Sequence, residues 1–122
     1  MREPQRPTWM QAALAAGVLA GALLAAGCGG GEATQGHKLY QRNCANCHGG
    51  SARGMPHLGQ DLHQNEFVSS RSDEELLDFL KVGRPANSPS NRLGMAMPAK
   101  GGNPSLTDDE LRDLVAFLRS LQ

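Results

Sequence analysis

Cys44-Ala45-Asn46-Cys47-His48 is the stretch that decides how this chain folds. The spacing C-x-x-C-H is the attachment signal for a c-type haem. Two cysteines three positions apart lie one helical turn apart, where each can form a thioether to one vinyl group of the same macrocycle. His48, next in sequence, is then carried to the iron as its proximal ligand. Simpler uses of the thiols fit less well. A zinc ribbon needs a second Cys/His pair, and the third cysteine, Cys28, stands alone. A thioredoxin-like dithiol sits between a strand and a helix, and no β-rich run precedes Tyr40. One covalently bound haem c is therefore the expected cofactor.

Upstream of the motif, residues 1–27 read as an export signal. Arg2 and Arg6 give a short basic start, and Ala12 to Ala26 is an unbroken run of 15 apolar residues and glycines. That length is short for a membrane span and suits a signal core. The run ends in Leu24-Ala25-Ala26-Gly27-Cys28, which resembles a bacterial lipobox with Cys28 as the lipidated first residue. Residues 28–35 are then a short tether and 36–122 a single small domain. The expected location is outside the cytoplasm, periplasmic or on the outer face of the cytoplasmic membrane, held by the lipid.

The whole chain carries 12 Lys+Arg and 12 Asp+Glu. Removing the leader, with Arg2, Glu3 and Arg6, leaves a net charge of −1 and no basic run. Nucleic acid is not an expected partner. Aromatic residues make up only 4% of the chain, so side chains alone offer a thin core. A covalently held apolar macrocycle would supplement it.

Three main helices are predicted, and no segment alternates as a half-buried strand would. The first runs from about Ala33 into the haem motif, with Gly36, Leu39, Tyr40 and Cys44 on one stripe. A glycine on that stripe costs a helix roughly 1 kcal/mol relative to alanine and makes sense where another helix crosses closely. The second starts at the capping box Ser72-Asp73-Glu74-Glu75 and stops at Gly83. The third starts at the capping box Thr107-Asp108-Asp109-Glu110 and carries Leu111, Leu114, Val115, Leu118 and Leu121 on one face. Between the second and third lie 23 residues, Gly83 to Ser105, with four prolines and four glycines. So long a loop in so small a domain points to a functional role.

A haem iron with one histidine needs a sixth ligand or keeps an open site. Met97 is the leading candidate, since Pro98 holds it extended for presentation by a rigid loop. Met95 and Met55 compete as thioethers, and His37, His57 and His63 as a second imidazole.

Taken together, the pattern resembles the class I c-type cytochromes, over about Gly36 to Leu121. The carrying residues are Gly36 and Tyr40, Cys44, Cys47 and His48, the loop Met97-Pro98-Ala99-Lys100-Gly101-Gly102, and the third helix with its Leu106-Thr107 entry. The resemblance implies an all-α cytochrome c fold, three main helices around one haem, with Gly36 and Tyr40 crossing Phe117 or Leu118. It implies a one-electron carrier rather than an enzyme, with His48 and Met97 on the iron and a proline carbonyl steadying His48. Pro56 is the candidate for that last role. Redox proteins are the expected partners, and a corollary expectation is that they dock at the exposed haem edge, near Ala45-Asn46 and the Ala96 to Lys100 loop. The chain would be a monomer or a subunit of a respiratory complex. An open-site sensor or peroxidase-like protein is the rival of another class.

Overall fold

The computed structural model describes residues 29–122, so the readings made on residues 1–28, Cys28 included, lie outside the described residues. Five α-helices follow one another: α1 Gly29–Asn43, α2 Ala45–His48, α3 Glu66–Ser69, α4 Asp73–Val82 and α5 Asp108–Ser120. Among the described residues there are no strands, only two isolated bridges, Met55 to Gly59 and Arg84 to Met97. The all-α expectation holds. None of these helices is long and apolar enough to cross a membrane.

The frame is the crossing of α1 on α5. A Cβ on Gly36 would run into the carbonyl oxygen of Asp113 and come within 2.9 Å of the Phe117 Cβ. The missing side chain is what lets the two backbones meet. One turn on, the Tyr40 and Phe117 rings pack at 5.1 Å between centroids, tilted by 47°. The glycine and aromatic positions thus cross as the resemblance implies.

Helix α1 reaches further back than its periodicity predicts: residues 29–35 of the expected tether are already helical, ahead of Ala33. Once the crossing holds the middle of the helix, each further turn adds hydrogen bonds without a new nucleation cost. Glu32 in the first turn favours the helix dipole.

Both capping boxes form. The Ser72 side chain accepts from the Glu75 N–H while the Glu75 carboxylate accepts from the Ser72 N–H, and Thr107 and Glu110 repeat the arrangement. Gly83 ends α4 at φ 73°, its N–H donating to the Phe79 carbonyl at 2.7 Å. Leu76, Leu77 and Leu80 of α4 meet Leu111, Leu114, Val115 and Leu118 of α5 in one core with Leu39 and Tyr40. Truncating one such leucine to alanine costs about 2–5 kcal/mol.

Ion pairs lace α4 to α5: Arg119 to Asp73 at 2.8 Å, Arg112 to Glu74 at 2.6 Å and Lys81 to Asp108 at 2.7 Å. As largely exposed pairs they add little to stability. Arg119 does more, because it also donates to the carbonyls of Val68 and Arg71 and fastens the α3 segment to α5.

The stretch from Gly83 to Ser105 is an ordered strap. Arg84 and Met97 exchange backbone hydrogen bonds at 2.8 Å each, closing its base. Asn91 organises the tip, donating to the carbonyls of Pro85 and Met95 and accepting from the N–H groups of Leu93 and Gly94. The strap then turns tightly through Ala99–Gly102, where Lys100 and Gly101 have φ of 53° and 63°. A Cβ on Gly101 would come within 2.8 Å of the Asn43 carbonyl oxygen, so this turn packs on the end of α1.

Candidate functional site

A cleft of about 1160 Å³, counting the space that opens to solvent, runs between the strap and the helices. Cys44, Cys47 and His48 line it from the motif helix, and Met95 and Met97 from the strap. Its floor is apolar, with Val68, Leu76, Leu80, Leu114 and Leu118 among the lining residues.

Local backbone geometry explains how the motif reaches the cleft. Helix α1 ends at Asn43, Cys44 breaks the regular path at φ −118° and ψ −30°, and α2 resumes through His48. The His48 N–H donates to the Cys44 carbonyl at 3.0 Å, which keeps cysteines and histidine on one compact turn. The Tyr40 hydroxyl donates to the Gly49 carbonyl at 2.6 Å and fixes the exit of that turn. Burial, and then the neighbouring Cys44, push the Tyr40 phenol up to about 12, so it stays a donor. Burial, followed by the nearby Cys47, lifts the Cys44 thiol to about 11. Before attachment Cys44 is therefore a neutral thiol at physiological pH.

The His48 ring is held by Gln60, not by Pro56. Its Nδ1 lies 2.9 Å from the Gln60 carbonyl oxygen. A carbonyl only accepts, so Nδ1 carries the proton and Nε2 is left free to bind a metal. Pro56 is displaced by the turn it begins: Met55 and Gly59 bridge, with the Met55 N–H on the Gly59 carbonyl at 2.9 Å. That turn throws Pro56 and His57 out to solvent and returns the chain to the motif at Gly59. A Cβ on Gly59 would strike the Cys47 carbonyl, so only glycine lets the following carbonyl reach His48. Nothing in the local sequence marks Gln60 for this part.

The other candidate ligands separate cleanly. His37 stacks on Phe117 at 5.0 Å, and His63 Nε2 lies 2.9 Å from the Ser51 carbonyl. His57 is exposed on the 55–59 turn, where Met55 is also exposed, and none of these four lines the cleft. Met97 is half-buried against the core, whereas Met95 is 48% exposed at the rim. Close to Met97, a Cβ on Gly83 would collide with its carbonyl, so the end of α4 and the methionine segment are packed backbone to backbone. The Lys100 ammonium turns inward, donating to the Leu106 carbonyl at 2.8 Å, so it braces the strap.

These side chains suit a haem on chemical grounds: two thiols for two thioethers, one imidazole with a defined free nitrogen, a soft thioether, and an apolar floor. Fold and cleft together define a small c-type cytochrome domain. The chain belongs to the cytochrome c family described as cytochrome c oxidase, cbb3-type, subunit III, which matches residues 31–118. It is similar to cytochrome c-555 of Prosthecochloris aestuarii, 33% identical over 88 residues that cover 71% of this chain and 85% of that protein. It is also similar to the cbb3-type cytochrome c oxidase subunit CcoP of Rhodobacter capsulatus, 28% identical over 74% of this chain but 29% of that protein. A third likeness is to the cytochrome c subunit of the quinone-type alcohol dehydrogenase of Gluconobacter oxydans, at 29% identity over 74% of this chain and 19% of that protein. No solved structure gives a significant match. The protein is accordingly a monohaem c-type cytochrome that carries haem c and transfers electrons.

Proposed function

We propose that this cytochrome is a membrane-tethered one-electron carrier whose haem is held by Cys44 and Cys47 and whose iron is ligated by His48 and Met97. Bound haem c supplies the redox centre, its iron alternating between Fe(III) and Fe(II). The observation that carries the reading is the meeting of His48 and Met97 in one cleft, each fixed by backbone hydrogen bonds. The Gln60 carbonyl orients His48, and the Arg84 backbone holds Met97 in place. Ligands that do not move between oxidation states keep reorganisation small, and a thioether favours the ferrous state and raises the potential. No side chain is asked to make or break a substrate bond.

The leader and Cys28 complete the proposal: residues 1–27 are removed on export and Cys28 is lipidated. Since the chain is already helical at Gly29, a lipid on Cys28 would leave little slack and keep the domain against the membrane surface. A role inside an oxidase or dehydrogenase complex is the second reading. It is favoured by the names of the Rhodobacter and Gluconobacter relatives.

The test of the ligand set is the near-infrared spectrum of the ferric, haem-loaded chain. A sulfur-to-iron charge-transfer band is expected. Its absence would remove methionine from the iron and bring the open-site reading forward. Co-purification from membranes separates a free carrier from a complex subunit.

A further inference from the structure

Most basic side chains of the fold are engaged. Arg53, Lys81, Arg112 and Arg119 pair with carboxylates, and Arg71, Arg84 and Lys100 donate to backbone carbonyls. Lys38 and Arg42 do neither: both are exposed, and among the described residues no hydrogen bond or ion pair reaches them. Arg92 at the strap tip is alone in its segment, whereas Lys38 and Arg42 stand four residues apart on one helix. Gly36 and Tyr40 face α5, and Lys38 lies two residues from each, about 200° round the helix. Arg42 follows Tyr40 by the same step. Gln35 and Gln41 are exposed beside them, and no Asp or Glu occurs between Ala33 and Gln60. Carboxylates gather elsewhere: Glu32, Asp73, Glu74, Asp109 and Asp113 line one depression, in which Arg112 is the single base.

Like charges four residues apart repel and weaken a helix. The helix dipole offsets this for Arg42 in the last turn of α1, but not for Lys38 one turn further in. An anionic surface laid against this outer face turns the repulsion into attraction. We propose that the outer face of α1 is a membrane-docking surface, Lys38 and Arg42 meeting the phosphates of an anionic phospholipid bilayer. This rests on the lipidated Cys28 of the reading above and deepens it by naming how the domain lies. Two cations by themselves hold a protein to a membrane weakly. A tether next to Gly29 makes their contact intramolecular, at high effective concentration. The same lipid repels the alternative arrangement, a bilayer laid against the Glu32 depression. From Gly29 to Arg42 the helix spans about 20 Å. Lying flat, α1 therefore brings its Cys44 end to headgroup level instead of holding it that far above. The haem motif is then level with partners embedded in the same bilayer.

The test places the haem-loaded full chain on vesicles of phosphatidylcholine alone and of phosphatidylcholine mixed with phosphatidylglycerol. An amine-reactive acetylating reagent marks the lysines, and mass spectrometry reads Lys38 against Lys81, which pairs with Asp108 on α5 and serves as the internal control. On the anionic vesicles at low salt, acetylation of Lys38 relative to Lys81 should fall about tenfold, the combined effect of two cations at such a surface. High salt should abolish the protection, and R42Q should reduce it to about threefold. An equal ratio on both vesicles, with the protein bound to each, overturns the proposal and leaves the lipid anchor standing. Full protection kept in R42Q or at high salt assigns the contact to something other than charge and overturns it as well. Failure to bind the neutral vesicles strikes at lipidation instead. The docking face then stands if anionic vesicles still capture the chain and protect Lys38, and falls if they do not.

Discussion

The carbonyl of Gln60 stands 2.9 Å from His48 Nδ1, across twelve residues of chain, and fixes which nitrogen of the ring is left free to bind a metal. The contact depends on Gly59, whose missing side chain lets the chain lie against the Cys47 carbonyl. Gly59→Ala should push the two segments apart and cost about 1–3 kcal/mol, the range for forcing extra atoms into a packed site. It should also weaken the imidazole as an electron donor to iron and shift the midpoint potential upward, since a hydrogen-bonded Nδ1 makes the ligand more basic. Chemical denaturation and a redox titration of the haem-loaded variant check both halves. An unchanged potential would show that His48 does not depend on this carbonyl.

Gly36 gives a second, purely architectural prediction. A Cβ there meets the Asp113 backbone, which cannot rotate away as a side chain could. Although alanine is the better helix former by about 1 kcal/mol, Gly36→Ala should destabilise the protein, because overpacking costs about 1–3 kcal/mol. Gly31, with nothing within 4 Å of a built Cβ, is the control. Gly31→Ala should be neutral or slightly stabilising, so in thermal melts Gly36→Ala should fall below the parent while Gly31→Ala does not.

The contrast shows what could be read from sequence. Patterns set by local chemistry were legible: the two capping boxes, the Gly83 stop, the leucine face of α5 and the motif itself. Gly36 was legible too, since a glycine on an apolar stripe costs stability unless something crosses it. Features set by the return of distant chain were not. Gln60 acts through a backbone carbonyl, which any residue carries, and so the resemblance points to Pro56 instead. Arg119 reads as a dipole charge until the α3 carbonyls arrive beside it. Helix α3 is a single turn capped by Asn65, too short for any periodicity to reveal.

Met97 and Met95 are two residues apart yet differ in how they are held. Met97 is locked at both N–H and carbonyl by Arg84, while Met95 is tied to Asn91 through its carbonyl and stays exposed. Met97→Ala should abolish the sulfur-to-iron band and lower the midpoint potential, since the soft ligand that favours Fe(II) is gone. Met95→Ala should keep the band. Retention of the band in Met97→Ala would transfer the ligand role to Met95.

The capping boxes make stability depend on pH in a defined direction. Backbone and then side-chain hydrogen bonds from Ser72 hold the Glu75 carboxyl below its usual range, and those from Thr107 do the same for Glu110. Asp108 is also lowered, chiefly by its hydrogen bond from Lys81. A carboxyl whose folded pKa lies below its unfolded one binds fewer protons when folded. Its contribution is therefore complete above the unfolded value, about 4.3 for glutamate, and is lost as pH falls through the lower folded value. Glutamine at both positions removes the titration but can still accept the N–H bond through its amide oxygen. Glu75→Gln/Glu110→Gln should thus melt below the parent at pH 7, and the gap should narrow steadily as pH falls from 5 towards 3. Melting temperatures of the two proteins across that interval decide the matter, and parallel curves would show that neither carboxylate is linked to folding.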